Sequence, residues 1–92
     1  MAKEQVLELL HAAMESVDAL PVSFIGVSIY NGVARVQCNG KDQKCEDMFM
    51  DYTKDMPRTY RTYYDHGVDT GDEFVTATDA NGVELFILRS RP

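Results

Sequence analysis

The sequence predicts an α+β domain: a four-stranded antiparallel sheet made from two β-hairpins, with helices packed mainly on one face, in the order α-β-β-α-(α)-β-β. Three observations predict it. Two stretches carry apolar residues every three or four positions, two others alternate apolar and polar residues around Asn-Gly turns, and prolines separate helical from extended segments. Ninety-two residues suit one domain, spanning positions 1–92, with a single core and little surplus for a deep pocket.

Lys3 to Ala19 reads as the first helix. Val6, Leu9, Leu10, Ala13, Met14, Val17 and Leu20 share one face, and Glu4, Glu8, His11, Glu15 and Asp18 share the other. Pro21 ends the helix by driving Leu20 into extended backbone. Val22 to Asn39 reads as the first hairpin. Asn31-Gly32 suits a two-residue type I′ turn, in which both residues need positive φ. That turn sets Tyr30 opposite Val33, Ile29 opposite Ala34, Val27 opposite Val36 and Ile25 opposite Cys38. Alternation then gathers all of these except Tyr30 and Val33 on one apolar side.

Asp42 to Met56 reads as the second helix, with Asp42 as N-cap and Cys45, Met48, Phe49, Tyr52 and Met56 as its apolar stripe. In Arg58 to Gly71, the run from Thr59 to Tyr64 is rich in strand formers. Pro57 before it, Gly67 after it, and Tyr60, Tyr63 and Tyr64 at helical spacing favour a short third helix, with Gly67 to Asp72 as a loop. Glu73 to Arg89 reads as the second hairpin. A two-residue turn at Asn81-Gly82 would set Asp79 against Glu84, so a three-residue loop with Gly82 left-handed is preferred. It pairs Asp79 with Val83, Ala77 with Leu85 and Val75 with Ile87, and leaves Phe74, Phe86 and Leu88 on the second face.

Nine Lys and Arg against fifteen Asp and Glu give a net charge of −6. That excludes a general nucleic-acid binder, which needs a basic footprint, and disfavours anionic membrane surfaces. No apolar run approaches the ~20 residues of a membrane span, and no basic-then-apolar N-terminal segment marks a signal peptide. Two cysteines in a well-patterned chain suggest a reducing, cytoplasmic setting.

No catalytic motif is present, so the chain is expected not to be an enzyme and to need no cofactor. Cys38 and Cys45 lack the paired-knuckle spacing of a zinc site and read as buried thiols. His11 lies on a wet helix face. His66 stands among Asp65, Asp69, Asp72 and Glu73, a set that could hold a divalent cation, though without the spacing of a calcium loop.

Two candidate surfaces remain. Arg58, Tyr60, Arg61, Tyr63 and Tyr64 combine the residue types favoured at protein interfaces. Glu46, Asp47, Asp51 and Asp55, with Glu4, Glu8, Glu15 and Asp18, give the helices acidic faces that could imitate a phosphate track. The expected function is a small acidic binding protein that occupies a protein partner's surface. Its specific form is an inhibitor of a nucleic-acid-handling complex, a nucleic-acid mimic of the phage anti-defence (anti-CRISPR) type. One alternative is a homodimer or larger assembly that buries the second sheet face or an exposed edge strand. Another is a small metal-binding enzyme built on the His66 loop.

Overall fold

A computed structural model describes residues 1–92. The elements run α1 (Lys3–Ala19), β1 (Phe24–Tyr30), β2 (Val33–Cys38), α2 (Gln43–Tyr52), β3 (Arg58–Asp65), β4 (Val68–Thr78) and β5 (Glu84–Ser90). The class is α+β, as expected, but the four-stranded antiparallel sheet is corrected to a five-stranded mixed one. Its strand order is β1-β2-β5-β4-β3. β2 and β5 run parallel and join the two halves, while every other neighbour pair is antiparallel.

The extra strand comes from residues 58–66, expected as a third helix. His66 and Gly67 have φ of 50° and 77°, nearly the values of Asn31 and Gly32 in the first hairpin, 51° and 76°. They make the same kind of two-residue turn, closing Asp65 against Val68. The expected loop at 67–72 is therefore the start of β4. Its surplus residues are absorbed in a bulge, between the pairs Thr62–Glu73 and Tyr64–Asp69, where Gly71 takes a positive φ.

Both helices lie on one face of the sheet and share one core. Ala34, Val36 and Cys38 of β2, Val75 of β4, and Leu85 and Ile87 of β5 point into it, together with Val83, and meet Ala13 of α1 and Phe49 of α2. Removing the fully buried Leu85 side chain would cost about 2–5 kcal/mol, because transfer and cavity terms add. Between β2 and α2, the chain at Gly40 passes so close to β5 that a Cβ there would collide with the Leu88 carbonyl oxygen.

Local signals predicted the register and turn of the second hairpin, though its first strand begins at Val68 rather than Glu73. Ala77 pairs with Leu85 and Val75 with Ile87, the Asp79 N–H donates to the Val83 carbonyl at 3.0 Å, and Gly82 is left-handed. In the first hairpin the turn and three inner pairs are as expected, but Ile25 does not face Cys38. A bulge between Phe24 and Gly26 puts Phe24 opposite Cys38 and leaves Ile25 62% exposed.

α1 has the expected limits but a different buried face. Ala13 and Ser16 are buried, with Leu9, Ala12, Val17 and Leu20 packed beside them, whereas Leu7, Leu10 and Met14 remain exposed. Ser16 is buried because its hydroxyl donates to Asp79 Oδ2 at 2.5 Å and accepts from Asn81 Nδ2 at 3.2 Å. Asp79 Oδ1 meanwhile accepts the backbone N–H groups of Asn81 and Val83. One carboxylate thus shapes the β4–β5 turn and ties it to α1. Neither helix is long and apolar enough to cross a membrane.

Candidate interaction surfaces

Because residues 58–65 form a strand, alternation divides the Tyr/Arg segment between the two sheet faces. Arg58 and Tyr60 lie on the helix side, opposite Ala77 and Val75. Arg58 is committed to the end of α2: its Nη2 donates to the Met50 carbonyl and, at 2.9 Å, to Thr53 Oγ1. A cation at a helix C-terminus complements both the open carbonyls and the macrodipole. Tyr60 is half exposed, with the Arg89 guanidinium 5.9 Å from its ring centroid. Arg89 in turn donates to Glu73 at 2.9 Å, a pair whose side chains are only 14% and 11% exposed.

Arg61 and Tyr63 face the side without helices. Tyr63 stacks on Phe74 at 5.4 Å, Phe74 meets Phe86 at 6.1 Å, and Arg35 sits 4.7 Å above Phe86 while pairing with Glu84 at 3.3 Å. This row crosses β3, β4, β5 and β2. Arg61 is exposed beside it and has no ion pair. Tyr64, beyond the bulge, is exposed near Asp69. The structure therefore brings Arg61 and Tyr63 together with Phe74 and Phe86, and it separates them from Arg58 and Tyr60. Reading 58–66 as a helix hid this row. The sequence signal for it was His66-Gly67, an equivalent of Asn-Gly that two positive φ values require.

The acidic helix residues lie on one side of the sheet. Asp47, Asp51 and Asp55 are exposed on or just after α2, and Glu46 is half-buried. Gln43 Nε2 donates to Glu46 at 2.8 Å and to Asp47 at 2.9 Å, and Lys54 pairs loosely with Asp51 at 3.5 Å. Glu4, Glu8 and Glu15 are exposed on α1, on the same side of the sheet as α2. From Lys3 to Leu20 one Lys stands against four acids, and from Lys41 to Met56 three stand against five. The helical layer therefore holds five of the six net negative charges. All four lysines belong to this layer, and all five arginines belong to the sheet and the chain end beside it.

The His66 loop does not converge. His66 is exposed and its Nδ1 lies 2.7 Å from Asp65. Asp69 instead accepts from the Gly71 N–H at 2.8 Å and from Arg91 at 2.8 and 2.9 Å, and these partners hold its carboxyl below the usual range. Glu73 is taken by Arg89. No three His, Cys, Asp or Glu side chains come together in a metal-binding arrangement. Cys38 is buried and Cys45 half-buried, neither in a disulfide; burial, helped by Cys45, pushes the Cys38 thiol up to about 12. No known protein family, curated protein or solved structure matches this chain.

Proposed function

We propose that this chain acts by binding: its acidic helical layer occupies a basic surface on a protein partner, in the manner of a nucleic-acid mimic. The observation that carries this is the segregation of charge. Two helices on the same side of one sheet present Glu4, Glu8 and Glu15 together with Asp47, Asp51 and Asp55, and hold five of six net negative charges. Aligned carboxylates on a rigid layer attract a cationic groove at long range and compete there with phosphates. A surface fixed by a packed core loses little entropy on docking. The acidic residues are spread over the layer without closing around a pocket, which suits an extended contact better than a small substrate.

The test is capture from a cell extract on the immobilised chain, followed by competition. A protein with a basic nucleic-acid-binding surface should be retained, and excess duplex DNA or RNA should release it. Replacing Asp47, Asp51 and Asp55 with Asn should abolish retention while the thermal midpoint stays within a few degrees. Retention that survives those replacements, but fails when Arg61 and Tyr63 are changed to Ala, would move the interface to the open aromatic face and overturn the proposal.

A further inference from the structure

We infer that two copies of this chain pair through β1 and α1 as a two-fold dimer with one continuous ten-stranded sheet. The two free edges of the sheet differ. β3 follows Pro57, carries Arg58, Arg61 and Asp65, and its pairing with β4 shifts register between Thr62 and Tyr64, all features that discourage edge pairing. β1 reads Phe-Ile-Gly-Val-Ser-Ile-Tyr, without a charge or a proline, and its one bulge lies at its start. In a hairpin closed by two turn residues, Tyr30–Val33 and every second pair beyond it share the ladder hydrogen bonds. The N–H and C=O groups of Val27 and Ile29 therefore point to the free edge.

α1 extends this edge with side chains the sheet does not cover. Met14 is 66% exposed, Leu7 50% and Leu10 41%, and Leu10 and Met14 form an apolar groove with Phe24 and Val27. At 100° per residue, Lys3 and Asp18 lie on the same flank as these three, while Glu4, Glu8 and Glu15 point away from it.

A second copy is the occupant that fits, because this flank complements itself. Two α1 helices set antiparallel about their midpoints bring Leu7 against Met14 of the second copy, and Lys3 against its Asp18. Like chemistry and opposite charge are satisfied by the same alignment. The spacing also agrees. Strands lie about 4.8 Å apart, so a dyad between two β1 strands places helices seated over β1 and β2 about 10 Å from each other, an ordinary packing distance. Val27, whose outward groups would pair with Val27 of the second copy, shares the groove with Leu10 and Met14. Strand and helix are thus centred on one axis.

Sedimentation equilibrium of the full chain tests this. The expected mass is twice that of the chain, and Met14→Glu should raise the dissociation constant about 100-fold or more, since it buries two carboxylates near the dyad. Lys3→Glu and Asp18→Lys should each weaken the dimer several-fold, and the double exchange should restore it. Both exchanges favour the α1 dipole, so unfolding would not explain a loss. A monomer at millimolar concentration overturns the proposal. So does an open-ended assembly, or a dimer indifferent to Met14→Glu and to the Lys3/Asp18 exchange.

Discussion

At the scale of single residues, buried polar groups make the sharpest predictions. Cys38 is 1% exposed and its thiol is raised from 9.0 to about 12 by burial. The stability tied to the protonated thiol is fully present below the unfolded value and is lost as pH rises from there through the folded one. Urea midpoints should therefore fall between about pH 9 and 12, and Cys38→Ala should flatten that fall by up to ~1.4 kcal/mol per pH unit. At pH 8, Ellman's reagent should modify Cys45 first and reach Cys38 no faster than the chain opens; prompt reaction of both thiols would contradict the packing described. Glu73→Ala strands the Arg89 guanidinium in a site where it is 14% exposed. That should cost about 3–5 kcal/mol in urea unfolding, whereas replacing Glu73 and Arg89 together with Leu and Met should recover most of it.

At the scale of elements, turns decide the topology. His66 and Gly67 both carry positive φ, so Gly67→Val should destabilise the β3–β4 hairpin by about 1–2 kcal/mol, while His66→Asn should be neutral or slightly stabilising. A larger loss for His66→Asn than for Gly67→Val would refute the turn assignment. Gly40→Ala should be worse than either in thermal melts, because a Cβ at Gly40 meets the Leu88 carbonyl, backbone that cannot move aside as a side chain could. These cases explain what the sequence made legible. The first hairpin turn, the Asp42 cap and the β4–β5 register each rest on contacts within a few residues, so local chemistry specifies them. β3 was hidden because Tyr60, Tyr63 and Tyr64 satisfy a helical spacing, while His66-Gly67 lacks the familiar Asn. The bulge that exposes Ile25 breaks strict alternation and leaves no compositional mark.

At the scale of the whole molecule, the parallel contact between β2 and β5 joins segments separated by α2, β3 and β4, and no local pattern encodes such a pairing. That α1 and α2 share one face was expected, and the structure bears it out, so two ordinary amphipathic helices lie in one acidic layer. The candidate residues follow the same logic. Asp47, Asp51 and Asp55 could be named from helical periodicity alone. The grouping of Arg61 and Tyr63 with Phe74 and Phe86 required the strand order. With five arginines nearly balancing six acids in the sheet and the chain end beside it, the negative charge is concentrated in the helical layer, although the sequence shows only a total of −6.

The most direct measurement of that asymmetry of charge is the dependence of partner affinity on salt, taken for the native chain and for the chain with Asp47, Asp51 and Asp55 changed to Asn. Screening lengths shrink from about 30 Å at 0.01 M to about 3 Å at 1 M, so a contact made by the helical layer should weaken steeply for the native protein and much less for the triple variant. Parallel slopes for the two proteins would contradict the assignment of binding to the acidic layer.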